Sequence, residues 1–366
     1  MGAPGFTTVK ELDLRNFVTE VFLAKGFSVE NAATASDVLL LADLRGIDSH
    51  GVARLSGYLR LIDAGRINPN PNFQLTHRKK TIAALDADGS IGLISAPFAM
   101  KAAIEMGSEY GSGWVGISNS NHFGIAAYHA MMALENKMIG FSMTNASPLV
   151  TPARGSERML GTNPICVAVP AGKKPAFVLD MATSAAANGK LEIAERLGKE
   201  LPEGWVMDKN GQSDRNPSGL KNGGMLLPLG SDAEHGAHKG YGLGSWVDIF
   251  SGVLTGANFG PWVPPFVSFL QPLPNLPGKG LGHFVGCWEV DGFRDYNDFT
   301  ANMDLWIDRF ENTKTPDGSS LPVIIPGTPE RLAHEERKTA GIPLVEAVYQ
   351  DLHQIRTQLQ LSQNFE

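Results

Sequence analysis

The chain has 366 residues, 43% of them hydrophobic and 19% charged, with a formal charge of −7. That length exceeds what one hydrophobic core usually serves, so two domains are expected, and the acidic balance, with no basic run beyond HRKK at 77–80, argues against a nucleic-acid partner. Only two cysteines occur, Cys166 and Cys287, both in apolar surroundings; they read as buried thiols in a reducing compartment, and no thiolate metal site is expected.

The first residues lack an apolar signal core, so the chain reads as unexported and cytoplasmic. TVKELDLRNFVTEVFLAKG and SVENAATASDVLLLADLRG are amphipathic helices that each stop at glycine, with Ser28 placed to cap the second. A third helix is expected around SHGVARLSGYLRLIDAG, and HRKK reads as a charged loop. From about residue 75 the character changes. The apolar runs TIAALDA, WVGIS, IGFSMT, ICVAVP and AFVLDM alternate with helical stretches and Gly/Pro turns, as in an α/β domain.

GSGWVG at 111–116 has Gly-x-Gly-x-x-Gly spacing, but it follows a helical pattern and precedes a strand pattern. A dinucleotide loop requires the reverse order, so Gly111 and Gly113 read as a helix stop and turn. Residues 240–270 are apolar but interrupted by glycines and by Pro261, Pro264 and Pro265. They read as a buried helix ending near Gly256 and an irregular loop, not a membrane span. The last 65 or so residues return to helix. The expected division is therefore a helical domain from residues 1–75 with 300–366, and an α/β domain from 76–299.

Several segments carry groups suited to chemistry. In DSHGVARL, Ser49 is a candidate N-cap, with His50 in the first turn and Arg54 four residues on, on the same face. A guanidinium fork can grip a carboxylate while an imidazole passes a proton to a carbonyl oxygen; a capping histidine and a surface arginine would give the same spacing. His122 stands at a strand-to-helix junction in SNSNHFG, suited to acid/base or structural work. His129, two helical turns on, reads as packing or surface, since no carboxylate or cysteine is near to complete a metal set. Lys239 in AHKGYG and Gly327, Thr328 and Pro329 in PGTPE sit at helix starts, where an anion could rest. Asp180 in FVLDMATSAAANGK ends a strand and continues in small residues that would let a ring or ribose approach the backbone. Each of these also has an ordinary reading as a helix entry, turn or strand end.

Taken together, RGIDSHGVAR, GISNSNHFG, MTNASPLV, GTNPICVAVP, LDMATSAAANGK, MDKNG, HKGYGL and PGTPE, in this order, resemble the malate/L-lactate dehydrogenase family that is unrelated to the Rossmann enzymes. The resemblance covers roughly residues 8 to 345. It implies a non-Rossmann NAD(P)-binding mixed-sheet α/β domain, a helical domain formed from both chain termini, and a homodimer with the active site near the subunit interface. It also implies hydride transfer between NAD, with NADP as the alternative, and a small 2-hydroxy or 2-oxo acid, malate first. Ureidoglycolate, sulfopyruvate or diketogulonate-type acids and cyclic imine acids are the alternative substrates. Carried over by residue, His50 and His122 match the family's proton-handling histidines and Arg54 its substrate-carboxylate arginine. The nucleotide contacts map to Asp180, Met181, Ala182, Thr183, Ser184, Ala185 and Ala186, to His238 and Lys239, and to Gly327, Thr328 and Pro329. Ala146 stands where several members carry a hydroxyl, so a contact there would be through backbone. The loop PGKGLGHFVG has no confident match.

Overall fold

The computed structural model describes residues 5–319 and 321–365. Strand β1 (Phe6–Val9) leads into α1 (Glu11–Ala24), α2 (Val29–Leu44) and α3 (Leu55–Asp63). As expected, the Ser28 hydroxyl accepts the Asn31 N–H and opens α2. The chain then forms β2 (Gln74–Lys79), β3 (Ile82–Asp86), α4 (Gly92–Tyr110), β4 (Ser112–Ser120), α5 (Ala126–Met131), β5 (Met138–Thr144), β6 (Ile165–Val169) and β7 (Phe177–Met181). After α6 (Asn188–Arg196) come the short strands β8 (Val206–Met207), β9 (Ser213–Asp214) and β10 (Met225–Leu226), then α7 (Ala237–Asp248) with a π turn over Ile249–Val253. The last elements are β11 (Leu281–Glu289), α8 (Tyr296–Glu311), α9 (Thr328–Ala340), β12 (Ile342–Val345) and α10 (Glu346–Leu359).

Seven strands form one sheet in the order β2-β3-β4-β11-β5-β6-β7. Only β3–β4 is parallel; the other five pairings are antiparallel. The mixed sheet agrees with the expected fold class and differs from a doubly wound dinucleotide fold, whose sheet is mostly parallel. Gly111, at φ 83°, ends α4 as a left-handed C-cap, and β4 begins at Ser112. Gly113 is therefore a strand residue rather than part of a turn.

The sequence reading found no strand in the segment that supplies the central one. β11 inserts between β4 and β5, and its glycines are places of close approach. A Cβ on Gly282 would overlap the Ser251 carbonyl, and one on Gly286 would overlap the Trp114 ring. Glycine content that reads as loop in the sequence serves packing here. HRKK is likewise not a loop. Its first three residues end β2, the edge strand, where like charges discourage pairing with another chain.

One sheet face packs under α4 and α5 around residues such as Val115, Ile117, Val285 and Cys287. The other carries Trp114, Phe141, Phe284 and Trp288 beneath Val247 of α7 and Phe250. α7 is not buried all round as its composition suggests: Leu243, Trp246, Ile249, Val253 and Leu254 remain exposed on its outer side and continuation. No described helix is long and apolar enough to cross a membrane. Against the α4 side stands a second apolar cluster drawn from both chain ends, joining Phe17, Phe22, Leu39 and Tyr58 to Ile342, Leu352 and Phe365. β1 and β12 pair antiparallel beside it. Helix α8 lies along the β6–β7 end of the sheet, where Asp304 accepts the backbone N–H groups of Gly172, Lys173 and Lys174 and Trp306 packs on Phe177.

Candidate active site

The segment between α2 and α3 is built differently from the expected capped helix. Ser49 caps nothing; a 3-10 turn spans Val52–Arg54 and α3 starts at Leu55. The buried Asp43 of α2 takes over, accepting the Val52 N–H at 2.8 Å. Gly51 is required there because any Cβ would overlap the Asp43 carboxylate. The resulting tight turn directs His50 inward and lets Arg54 fold back, with Nε donating to the Ser49 carbonyl at 2.5 Å. The two side chains still converge, through a turn rather than along a helix face.

His122 arrives from the opposite side, on the loop after β4. Its neighbour Asn121 is buried and donates to the Gly89 and Ser90 carbonyls, both at 3.1 Å, while accepting from Arg66 Nε at 3.0 Å. The remaining Arg66 donors hold the Pro264 and Pro265 carbonyls at 2.8 and 2.6 Å. That clamp seats Phe266 against His122 and Tyr58, with ring centroids 4.9 and 5.1 Å away. The Tyr58 hydroxyl lies 2.6 Å from His122 Nδ1, which also accepts the Gly124 N–H at 3.3 Å. With Nδ1 engaged twice, Nε2 is the nitrogen left for a ligand. His50 and His122 stack with centroids 5.6 Å apart, and Ser49 Oγ sits 2.9 Å from His50 Nδ1.

Both imidazoles are held neutral. Withdrawal from water, then the Arg54 charge, pushes His50 down to about 4. His122 lies well below its ordinary value, first from burial and then from His50, Arg54 and His283. Two stacked rings beside a guanidinium disfavour charging both, so the pair takes up at most one proton beyond its neutral state. His50, His122 and Arg54 line a small cavity of about 70 Å³ with Ala146, Thr162, Asn188 and Phe266. The Ala146 N–H is already donated to Asn163 Oδ1 at 3.1 Å, which removes it as a free backbone contact.

The candidate nucleotide residues trace a path that ends in this cavity. Gly327, the N-cap of α9, packs on Val178 of β7, and the Val178 N–H donates to the Pro326 carbonyl at 3.1 Å. Asp180 accepts the Ala127 N–H at the start of α5 at 2.8 Å, and burial raises it to about 6. Met181 and Ala182 follow, and Thr183, buried, donates to the Thr162 and Asn163 carbonyls. The Leu229 N–H donates to the Thr183 carbonyl, which joins the segment to the turn beneath α7. Ser184 Oγ bonds the Ala186 carbonyl and the Ala185 N–H is taken by Leu227, so these hydroxyl and amide groups hold the loop itself. Ala187, Asn188 and Gly189 then line the histidine cavity. His238 and Lys239 lie exposed in the first turn of α7, His238 on a separate cavity of about 790 Å³ with Arg154 and Tyr241. Thr328 and Gly327 line a third, about 390 Å³, with Arg45, Lys174 and Arg331. Pro329 is in the first turn of α9.

His129 is wholly buried, with Nε2 on the Phe123 carbonyl at 2.9 Å. Among the described residues no group of three or more His, Cys, Asp or Glu is arranged to hold a metal. Sequence reasoning missed Tyr58, Arg66, Phe266 and Glu192, which support the site from two helices, the turn after α3 and a proline loop that carry no recognisable spacing.

A mixed-sheet α/β protein with two neutral histidines and an arginine around one small cavity has the groups that proton transfer on a small carboxylic acid requires. The chain belongs to the malate/L-lactate dehydrogenase family, which it matches over residues 9–353. It is 41% identical to malate dehydrogenase of Pyrococcus abyssi over 96% of this chain and 94% of that one. Ureidoglycolate dehydrogenase (NAD(+)) of Escherichia coli is 32% identical over 93% of each. The solved structure of malate dehydrogenase from Entamoeba histolytica superposes with a TM-score of 0.90 at 31% identity, covering 97% of this chain and 99% of that one.

Proposed function

We propose that the chain transfers a hydride between a nicotinamide dinucleotide and C2 of a small 2-hydroxy or 2-oxo acid, with malate and oxaloacetate as the substrate pair. The observation that carries this reading is the continuity of residues 178–189. One segment runs from the α9 N-terminus, past α5 and α7, into the cavity of His50, His122 and Arg54.

The residues present fit a dinucleotide. Arg45 Nε and Arg331 Nε are buried without a hydrogen-bond partner among the described residues, and both arginines line the cavity at the α9 N-terminus with Lys174. Orphaned cationic donors beside a helix N-terminus suit a phosphate. Gly327, Thr328, Pro329, Asp180 and the small residues 181–186 would hold the nucleotide, with His238 and Lys239 at the α7 end. When bound, the nicotinamide supplies the hydride acceptor or donor. Arg54 would anchor the C1 carboxylate by a two-point contact. His50 Nε2, free when Nδ1–H is held by Ser49 Oγ, would take the hydroxyl proton in oxidation and return it in reduction, while His122, whose Nδ1 accepts the Gly124 N–H, would present Nε2–H to the substrate oxygen. The neutral pair is ready to accept that proton at neutral pH, and an anionic substrate, by offsetting the Arg54 charge, raises its proton affinity for the return step.

The exposed apolar side chains of α7 and its continuation, Leu243, Trp246, Ile249, Val253 and Leu254, support a homodimer that covers them. The two free, buried cysteines accord with a cytoplasmic setting. The test is absorbance at the NADH band with NADH and with NADPH, against a panel of 2-oxo acids and one cyclic imine acid. Oxaloacetate-dependent loss of absorbance is expected; no consumption by any member with either nucleotide overturns the reading.

A further inference from the structure

Arg54 is engaged by a carboxylate of the chain's own. Its Nε is committed to the Ser49 carbonyl, so its terminal nitrogens are what remain for two-point binding. Both face Glu192 of α6: Nη1 donates to Oε1 at 3.4 Å and Nη2 to Oε2 at 3.0 Å. Asn188, one helical turn earlier, steadies that carboxylate by donating to Oε1 at 2.8 Å. Helix α6 is seated directly on the turn that carries Arg54. A Cβ on Gly189 would overlap Ser49 and stand 3.2 Å from Arg54 Nη2.

The pair also stands between two spaces. Arg54, Asn188 and Phe266 line both the histidine cavity and an outer cavity of about 560 Å³, whereas Glu192 lines only the outer one. The side chains of Arg54 and Glu192 keep 16% and 32% of their exposure, so water reaches the contact. An ion pair so placed is weak enough to exchange for another carboxylate.

We propose that Glu192 is an internal carboxylate which the substrate displaces from Arg54, making it a specificity-determining residue at the mouth of the site. The proposal rests on Arg54 as the substrate anchor. An incoming 2-oxo acid must out-compete the glutamate for the same fork, and Glu192 adds like-charge repulsion until it yields. Anions unable to bind Arg54 by two points gain nothing from the exchange and are rejected.

The test is calorimetric binding of oxalate, an unreactive dianion, to wild type, Glu192→Gln, Arg54→Lys and the double variant. Glu192→Gln should bind oxalate about two- to five-fold more tightly, the span a weak, partly exposed ion pair supports, and the gain should shrink in the Arg54→Lys background, which cannot form the two-point contact. In turnover, the same variant should lower KM for the 2-oxo acid. Unchanged or weaker oxalate binding by Glu192→Gln overturns the proposal, as does no detectable binding to either protein, or an equal gain without Arg54. Because oxalate binding needs no hydride transfer, the two readings fail separately. Tighter oxalate binding without nicotinamide-dependent turnover keeps the displacement and removes the dehydrogenase, and turnover with unchanged oxalate affinity does the opposite.

Discussion

Two pairs of histidines are held in the interior, and their difference separates rings that line a cavity from rings that only support the packing. His50 and His122 are anchored at Nδ1, by Ser49 and by Tyr58 with Gly124, and face a cavity with the rest of the ring. His129 and His283 sit in α5 and in β11, fully buried. His283 bonds Thr144 Oγ1 at 2.6 Å and Ser120 Oγ at 2.8 Å and stacks on Phe123 at 4.9 Å. All four rings are held below the ordinary imidazole range by burial. A lowered proton affinity is therefore not a mark of function by itself. What distinguishes the first pair is an edge left open toward a cavity that also holds a guanidinium.

The largest expected effect breaks the open pair. His50→Gln and His122→Gln should each lower kcat/KM by about 10²–10⁴-fold, the range of a proton-transfer contribution, while thermal melting stays near wild type. Retained turnover in either variant removes that ring from the proton path. Next, Arg54→Lys loses the two-point fork. KM for the 2-oxo acid should rise about ten- to a hundred-fold, as expected for a lost charged hydrogen bond, with little change in nucleotide affinity by fluorescence titration.

The buried pair should respond in the opposite way. His283→Leu removes two buried hydrogen bonds and the ring stacked on Phe123, while the Thr144 and Ser120 hydroxyls keep the Gly282 carbonyl and Ser95 as partners. It should cost about 2–4 kcal/mol of stability, read as a lower urea midpoint, with kcat per folded molecule preserved. Lost turnover at full stability would erase the distinction between the pairs.

The pH profile sharpens it further. His50 is lowered to about 4, so the neutral form that the proposed base role needs exists above that value and is lost as pH falls through it. kcat/KM for hydroxy-acid oxidation should stay flat from neutral pH to about 5, where a free imidazole would already be mostly charged. Removing the nearby positive charge in Arg54→Met should move the acid limb upward. The smallest effect is expected from Tyr58→Phe, which frees His122 Nδ1 on one side. A three- to ten-fold loss in kcat, about one hydrogen bond's worth, with unchanged KM would mark Tyr58 as a positioning residue.

Much of this was legible in the chain itself, because caps, apolar periodicity and turn residues act over a few residues. Ser28 opening α2, Gly111 closing α4, and strands β3 through β7 all follow from such local preferences. The motif segments also marked His50, Arg54, His122 and Asp180 as groups worth locating. Other features depend on partners far along the chain, and no local pattern encodes them. β11 reads as a glycine-rich loop until Ser251 and Trp114 are packed against it. Ser49 reads as a helix cap until Asp43, a buried carboxylate on another helix, claims the Val52 N–H. Glu192 carries no signal of its own in the sequence and gains a partner only when α6 folds onto the turn at Ser49. The sequence by itself determined which elements form and which reactive side chains are available. Only the tertiary structure decided which of them meet, since convergence comes from close packing between segments far apart in the chain, 138 residues between Arg54 and Glu192 and 199 between Arg66 and Pro265.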